Sequence, residues 1–193
     1  MKVHVAIFAS GNGTNAEQII SYFSDNKYIA VALLLSNKPD AYVLERAKKH
    51  NILSFVFSKK ELNETEIIIN KLKGFSIDFI VLAGFMLKVP DNILSLYPDK
   101  IVNIHPALLP KYGGKGMYGM NVHTAVIDSK VSESGISIHF VNDKYDDGQI
   151  IFQAKCPVIP EDTPESLANK IHKLEYEHYP KIIEKVITKT FNL

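Results

Sequence analysis

Hydrophobic positions along the 193-residue chain fall into two alternating kinds of segment. Short runs rich in Val, Ile and Phe occupy 3–9, 29–35, 53–57, 79–83 and 101–104, and stretches whose apolar residues recur at helical spacing lie between them at 41–50, 64–73 and 91–96. Unbroken apolar runs of this length mark buried strands and a 3.6-residue period marks helices, so the alternation predicts βαβ units and a mostly parallel sheet. The first run is apolar but for His4 and leads into Ser10-Gly11-Asn12-Gly13-Thr14-Asn15 and then Ala16-Glu17-Gln18-Ile19-Ile20, which reads as strand, glycine turn and helix. The fold class expected is α/β: a doubly wound, Rossmann-like sheet.

Past Pro106 both periods fail. Leu-Leu-Pro-Lys-Tyr-Gly-Gly-Lys-Gly-Met-Tyr-Gly-Met, too rich in Gly and Pro for either, reads as an ordered loop beside a site. Two further strands are predicted at 135–141 and 149–158. The turn between them, Asn142-Asp143-Lys144-Tyr145-Asp146-Asp147-Gly148, suits an antiparallel pair. Thr163 as N-cap and Pro164 as first residue open a long C-terminal helix running to about Lys189. With no repeat, linker or low-complexity tract, a single domain over 1–193 is expected.

Composition narrows the partners. The chain is 46% hydrophobic and 22% charged, and 22 Lys+Arg against 21 Asp+Glu leave a net charge of +1. Such a balance supplies no field for tracking a phosphate backbone or lying on an anionic membrane, so neither nucleic acid nor membrane is an expected partner. The longest apolar run, 79–87, is far short of the ~20 residues that cross a bilayer. Cys156 stands alone and the N-terminal stretch lacks the apolar region of a secretory signal, so a cytoplasmic setting is expected.

Two constellations offer chemistry. Gly11-Asn12-Gly13-Thr14-Asn15-Ala16 fits the dinucleotide fingerprint G-x-G-x-x-A, in which glycines let backbone amides approach an anion at a helix N-terminus. A dinucleotide site also wants an acidic residue ~20 positions on, whereas the second strand ends in Ser36-Asn37-Lys38. Asn12, Thr14 and Asn15 suit a single phosphate better, and a ligand-free tight turn is the structural alternative. The second constellation is Asn103-Ile104-His105-Pro106 at a strand end, where strand alternation puts Asn103 and His105 on one face. A carboxamide beside an imidazole can stabilise an oxyanion and supply a proton, the needs of acyl transfer; a capping Asn and a structural His are the alternative. Asp146 could orient His105 and raise its pKa if its turn folds back. No H-E-x-x-H motif or Cys/His cluster is present, so no metal is expected, and Cys156 reads as a small core residue. Without a G-x-S-x-G elbow Ser10 is not a hydrolase nucleophile.

Together Ser10-Gly11-Asn12-Gly13-Thr14-Asn15, Ser36-Asn37-Lys38-Pro39-Asp40-Ala41, Leu82-Ala83-Gly84-Phe85-Met86, Asn103-Ile104-His105-Pro106-Ala107-Leu108-Leu109-Pro110 and His139-Phe140-Val141 with Asp146 resemble, in order and spacing, the folate-dependent formyltransferases. The Ser-Gly-Asn-Gly-x-Asn turn is similar to the branch acting on glycinamide ribonucleotide in purine synthesis. The resemblance implies transfer of a formyl group from 10-formyltetrahydrofolate, as co-substrate, to the amino group of that phosphorylated substrate, by a monomer or homodimer. Hydrolysis of the formyl-folate by the same residues is the nearest rival, and another folate-dependent formyl transfer is the other alternative. The resemblance further implies that Asn103, His105 and Asp146 are catalytic, that Gly11, Asn12, Gly13, Thr14 and Asn15 hold the substrate phosphate, and that Glu175 meets the glycinamide end. The folate would lie along Met86, Leu87, Lys88, Val89 and Asn103 and the turn of Asn142, Asp143 and Asp146. On this reading the N-terminal half binds phosphate, and the C-terminal half carries the folate site and catalytic loop. The loop 113–120, between Pro110 and His123, is a few residues longer than in the enzymes resembled. Neither it nor Lys59 and Lys60 receives a role.

Overall fold

The computed structural model describes residues 2–193. Among them one sheet contains β1 (Val3–Phe8), β2 (Ile29–Ser36), β3 (Ser54–Val56), β4 (Phe79–Leu82), β5 (Ile101–His105), β6 (Glu133–Phe140) and β7 (Ile150–Pro157). Its order is β3-β2-β1-β4-β5-β6-β7, with β1 to β5 paired in parallel and β6 and β7 antiparallel to their neighbours. The helices are α1 (Thr14–Phe23), α2 (Val43–Lys49), α3 (Lys59–Glu64), α4 (Ile67–Gly74), α5 (Asp91–Leu96), α6 (Met120–Asp128) and α7 (Pro164–Phe191). This is the doubly wound architecture that the alternating runs predict, with its antiparallel pair and its long last helix.

Both faces of the central strands are covered, which explains why their sequences read as unbroken apolar runs. Val3, Val5 and Ile7 of β1 pack into a cluster with Ile19, Phe23, Ile171 and Tyr179, while Ala6 and Phe8 join Leu62, Ile68, Leu72 and Ile93 on the other face. In β2 the alternation slips: Ile29 and Val31 share the first cluster with Leu34, and Leu33 and Leu35 lie in the second. The register shifts at the same place, Val5 pairing with Val31 and Ala6 with Leu33, so one extra residue resets the faces.

Three features shape the site end of the sheet. Tyr179 of α7 is fully buried and its hydroxyl donates to the carbonyls of Leu82 (2.8 Å) and Val102 (3.3 Å), fastening α7 across β4 and β5. The chain leaving β5 is pinned over the antiparallel pair by Ser137: its Oγ donates to Ala107 O (2.7 Å) and accepts from Leu109 N (2.9 Å) and Gln153 Nε2 (2.8 Å). Thr163 and Ser166 form a reciprocal capping box around Pro164 at the start of α7, the boundary its sequence predicts.

The structure corrects two expectations. The helix expected over 64–73 starts later, at Ile67, and a separate helix for which there is no expectation, α3, precedes it; between them Thr65 is extended, and its Oγ1 donates to Glu61 O (2.8 Å) and accepts from Ile67 N (3.3 Å). A threonine that satisfies the broken turn with its own hydroxyl ends one helix and starts the next. Helix α6 was not expected: Gly119 precedes it without a side-chain cap and no acidic residue marks its first turn, so it lacks the usual start signals.

Candidate active site

A cleft of about 460 Å³ opens along the carboxyl ends of β1, β4 and β5, where ligands of such sheets gather. Its lining brings together Gly11, Asn12, Gly13, Thr14 and Asn15, the segment Met86, Leu87, Lys88 and Val89, the pair Asn103 and His105, and Asn142, Asp146 and Glu175. Residues spread over most of the chain thus converge on one cavity. Asp143 alone of the residues singled out does not line it: it is exposed, while Lys144 and Tyr145 beside it face the cleft.

At one end lies the glycine turn. Gly13 has φ +76°, and a Cβ there would run into the side chain of Val43. Only glycine combines that backbone with so close a neighbour. Helix α1 starts at Thr14 with no side-chain cap, leaving the amides of its first turn to an incoming anion. The turn is braced from behind by α2: Val43 N donates to Gly11 O (3.2 Å), while Arg46 donates from Nε to Asn12 O (2.8 Å) and from Nη2 to Asn12 Oδ1 (2.8 Å) and pairs with Glu17. The Asn12 carboxamide oxygen is therefore engaged behind the turn. Asn15 reaches the other way, its Nδ2 donating to Glu175 Oε2 (2.9 Å). Burial pushes the Glu175 carboxyl up to about 7 even though the Asn15 bond favours its ionised form.

The other end holds the catalytic candidates. Asn103 pairs with His139 across β5 and β6, and its Nδ2 lies 3.1 Å from His139 Nε2 and 3.5 Å from Asp146 Oδ1. His139 Nδ1 is 2.7 Å from Phe140 O, an obligate acceptor, so Nδ1 carries a proton, and Nε2 faces both Asn103 and Asp146 Oδ1 (3.7 Å). His105 is 3% exposed, with Nε2 2.8 Å from Tyr112 O and Nδ1 3.5 Å from Asp146 Oδ2. By the same logic Nε2 holds a proton on the carbonyl, and Nδ1 is the nitrogen that gains or loses one. Asp146, at φ +53°, is held by Gly114 N, which donates to Oδ2 (2.9 Å). Burial acts to raise the Asp146 pKa, but His139, His105 and the Gly114 amide more than offset it and hold the carboxyl low.

The electrostatics of His105 differ from the expectation that Asp146 keeps the imidazole above its ordinary pKa. Burial is the largest influence and pushes it down; Asp146 and the Tyr112 carbonyl pull it up, His139 pushes it down again, and the net direction is down. The ring is too deeply buried for one carboxylate at 3.5 Å to win.

Four contributors escaped the sequence reading. Arg46 braces the glycine turn, His139 faces Asn103, and Tyr112 and Gly114 hold His105 and Asp146 through backbone groups. The sequence signals for them are the Gly-rich character of the segment that follows Pro110 and, for His139, its place in the His139-Phe140-Val141 stretch, which received no role of its own. Among the described residues no group of three or more His, Cys, Asp or Glu side chains is placed to hold a metal ion, and no helix is long and apolar enough to cross a membrane.

With the geometry in place, the sequence matches the family model "Formyl transferase" over residues 3–183. The chain belongs to that family. Within it the chain is 38% identical over 187 residues to the phosphoribosylglycinamide formyltransferase of Bacillus subtilis (strain 168), covering 94% of this chain and 93% of that one. It is 39% identical over 186 residues to the chloroplastic phosphoribosylglycinamide formyltransferase of Arabidopsis thaliana, covering 93% of this chain but spanning 63% of that longer protein. The crystal structure of phosphoribosylglycinamide formyltransferase from Bacillus halodurans superposes with a TM-score of 0.87 at 38% identity, covering 98% of each chain.

Proposed function

We propose that this chain transfers the formyl group of 10-formyltetrahydrofolate to the amino group of N1-(5-phosphoribosyl)glycinamide, a step of purine biosynthesis. The observation that carries the reading is the pairing, in one cleft, of an uncapped glycine turn with Glu175 at one end and Asn103, His105 and Asp146 at the other. The names of the relatives described above support it. The turn takes the phosphate, Glu175 takes the glycinamide end, and the apolar wall of Phe85, Leu87, Val89, Ile104 and Val141 suits a flat pterin. The phosphate end then belongs to the N-terminal half of the chain and the catalytic loop to the C-terminal half.

The chemistry needs no covalent enzyme intermediate. The substrate amine attacks the formyl carbon, and the Asn103 amide and the His105 ring meet the charge that develops on the formyl oxygen. In the free cleft His105 lies below its ordinary pKa, so the imidazole is largely neutral near pH 7. A developing alkoxide adds negative charge beside that of Asp146 and favours the imidazolium, so proton uptake at Nδ1 rises as the oxyanion forms. The amine proton passes to the leaving folate nitrogen through the same groups or a water. Holding both substrates side by side contributes about 7–11 kcal/mol through their lost independent motion, leaving less for the side chains to supply.

The test is whether the formyl group leaves 10-formyltetrahydrofolate only when glycinamide ribonucleotide is present. Formyl transfer to the amine is the expected result; formate released to water without the amine would identify a hydrolase instead.

A further inference from the structure

Two side-chain atoms of the cleft lining are buried without a hydrogen-bond partner among the described residues: Nδ1 of His123 and Oδ1 of Asn15. Buried polar atoms are nearly always paired, so an orphan on the wall of a ligand cleft points to a group brought by the ligand. His123 stands in the first turn of α6, and only 3% of its surface is exposed. Its neighbours Val122 and Val126 are fully buried and seat that helix without help from the ring nitrogens. Burial, with His172 and His105 nearby, pushes the imidazole down to about 4, so near pH 7 it is neutral, with one nitrogen a donor and the other an acceptor.

Asn15 has committed its Nδ2 to Glu175, leaving Oδ1 as an acceptor. Asn15 Oδ1, the Glu175 carboxyl and the neutral His123 ring together make this wall rich in acceptors. It suits neither a phosphate nor a glutamate tail; it suits hydroxyls and N–H groups. Glycinamide ribonucleotide carries such donors between its phosphate and its reacting amine: the ribose hydroxyls and the amide N–H.

Resting on the activity proposed above, we infer that His123 is a specificity-determining residue for the phosphorylated substrate, its free ring nitrogen hydrogen-bonding the ribosyl-glycinamide portion with Asn15 Oδ1 as a second acceptor there. It contacts no reacting atom, and its contribution is to substrate binding. Steady-state kinetics of His123→Phe, which keeps an aromatic ring without nitrogens, should show a rise of roughly tenfold in KM for glycinamide ribonucleotide. The kcat should stay within about threefold and the KM for 10-formyltetrahydrofolate should not move. His123→Asn, whose amide reaches the Nδ1 position, should recover most of the loss. A KM unchanged for both substrates, an equal rise for both, or a fall confined to kcat would overturn the inference.

Nitrogen-15 NMR of the wild-type imidazoles gives a reading that survives if a variant fails to fold. The His123 resonances should shift on adding glycinamide ribonucleotide and stay put on adding tetrahydrofolate; no shift with the nucleotide overturns the inference. The two ideas fail separately. Wild-type formyl transfer with an unmoved His123 discards only the role of this residue, while a moved His123 without formyl transfer keeps the binding site and discards the reaction.

Discussion

At the glycine turn the groups offered to a ligand are backbone amides, aimed by the junction of β1 with α1 and braced from behind by Val43 and Arg46. At the far end of the cleft they are side chains, and what fixes their state is a competition: burial against the Asp146 charge at His105, and burial against two imidazoles and an amide at Asp146. An amide dipole cannot titrate, so the turn itself adds no pH dependence, and what pH dependence this end shows comes from Glu175 beside it and from the ligand phosphate. The catalytic end depends on which influence prevails at a given pH. On the proposed function, binding and chemistry divide between a part of the molecule that is fixed by packing and a part that is tunable by charge.

The largest effect should come from removing the charge at the tunable end. In Asp146→Asn the carboxylate no longer raises the His105 pKa, so the ring, already low, falls further and the general acid is lost at lower pH. A fall in kcat of order 10² or more is expected, with the alkaline limb of the pH–rate profile moved to lower pH. Both substrate Kd values should change much less, because the interaction matters where charge develops. NMR titration of His105 in both proteins checks the cause, and an unchanged pKa would separate Asp146 from the histidine.

The fixed end should break in the opposite sense. Gly13→Val puts a branched side chain at φ +76° and against Val43, so the turn must move. A KM for the phosphorylated substrate raised by about tenfold or more is expected, together with a lower Tm, at nearly unchanged folate affinity. An equal loss of both ligands would mean that the turn is a structural corner and that the two ends are not separable.

Why one end was more legible than the other follows from how each is built. The glycine turn, and Asn103 with His105, are local: a strand, a turn and the two-residue alternation of a strand place them, and all can be read along the chain. What was missed depends on approach between distant segments. Arg46 reaches Asn12 across 34 residues and His139 reaches Asn103 across 36. Tyr112 and Gly114 act through a carbonyl and an amide, and no side-chain letter records that. The direction of the His105 shift was also beyond reach, because a sequence names the carboxylate but not the depth at which the ring is buried. The start of α4 at Ile67 rather than at residue 64 was missed for a related reason, since Thr65 is compatible with a helix until its hydroxyl is seen satisfying the broken turn.

Glu175 joins the two regions: it belongs to the binding end by its bond to Asn15, yet it titrates. Its carboxyl rises from the ordinary value of 4.5 to about 7. A carboxyl whose folded pKa is raised binds a proton more tightly in the folded state, so stability is greatest below about pH 4.5 on this account and declines as pH rises toward 7. The full difference is on the order of 3 kcal/mol. Glu175→Gln, which cannot ionise, should flatten that decline and raise Tm relative to wild type at pH 8. Binding of the phosphorylated substrate should weaken by several-fold, less than the loss in Asp146→Asn. Thermal unfolding from pH 5 to 8 checks the first half and substrate titration the second; a parallel pH dependence in the two proteins would show that the carboxyl is not desolvated.

The smallest effect is expected behind the phosphate turn. Arg46 touches no part of the cleft's catalytic end; its guanidinium holds Asn12 through two hydrogen bonds of 2.8 Å and pairs with Glu17, which also lies 3.9 Å from Lys49 and 3.6 Å from His50. Arg46→Ala removes the brace but leaves the φ of Gly13, its contact with Val43 and the first turn of α1 in place. The amides should stay roughly aimed and lose part of their preorganisation, raising KM for the phosphorylated substrate by about three- to fivefold with kcat nearly constant. Arg46→Lys keeps a cation but cannot reproduce the fork that grips the Asn12 carbonyl and carboxamide together, so it should rescue little of the loss. If lysine restored wild-type KM, charge near the phosphate rather than geometry would be the cause, and the phosphate end would prove as dependent on electrostatics as the catalytic one. Raising the salt concentration sharpens the same point, because a loss of geometry should persist at high ionic strength while a loss of long-range charge should fade with screening.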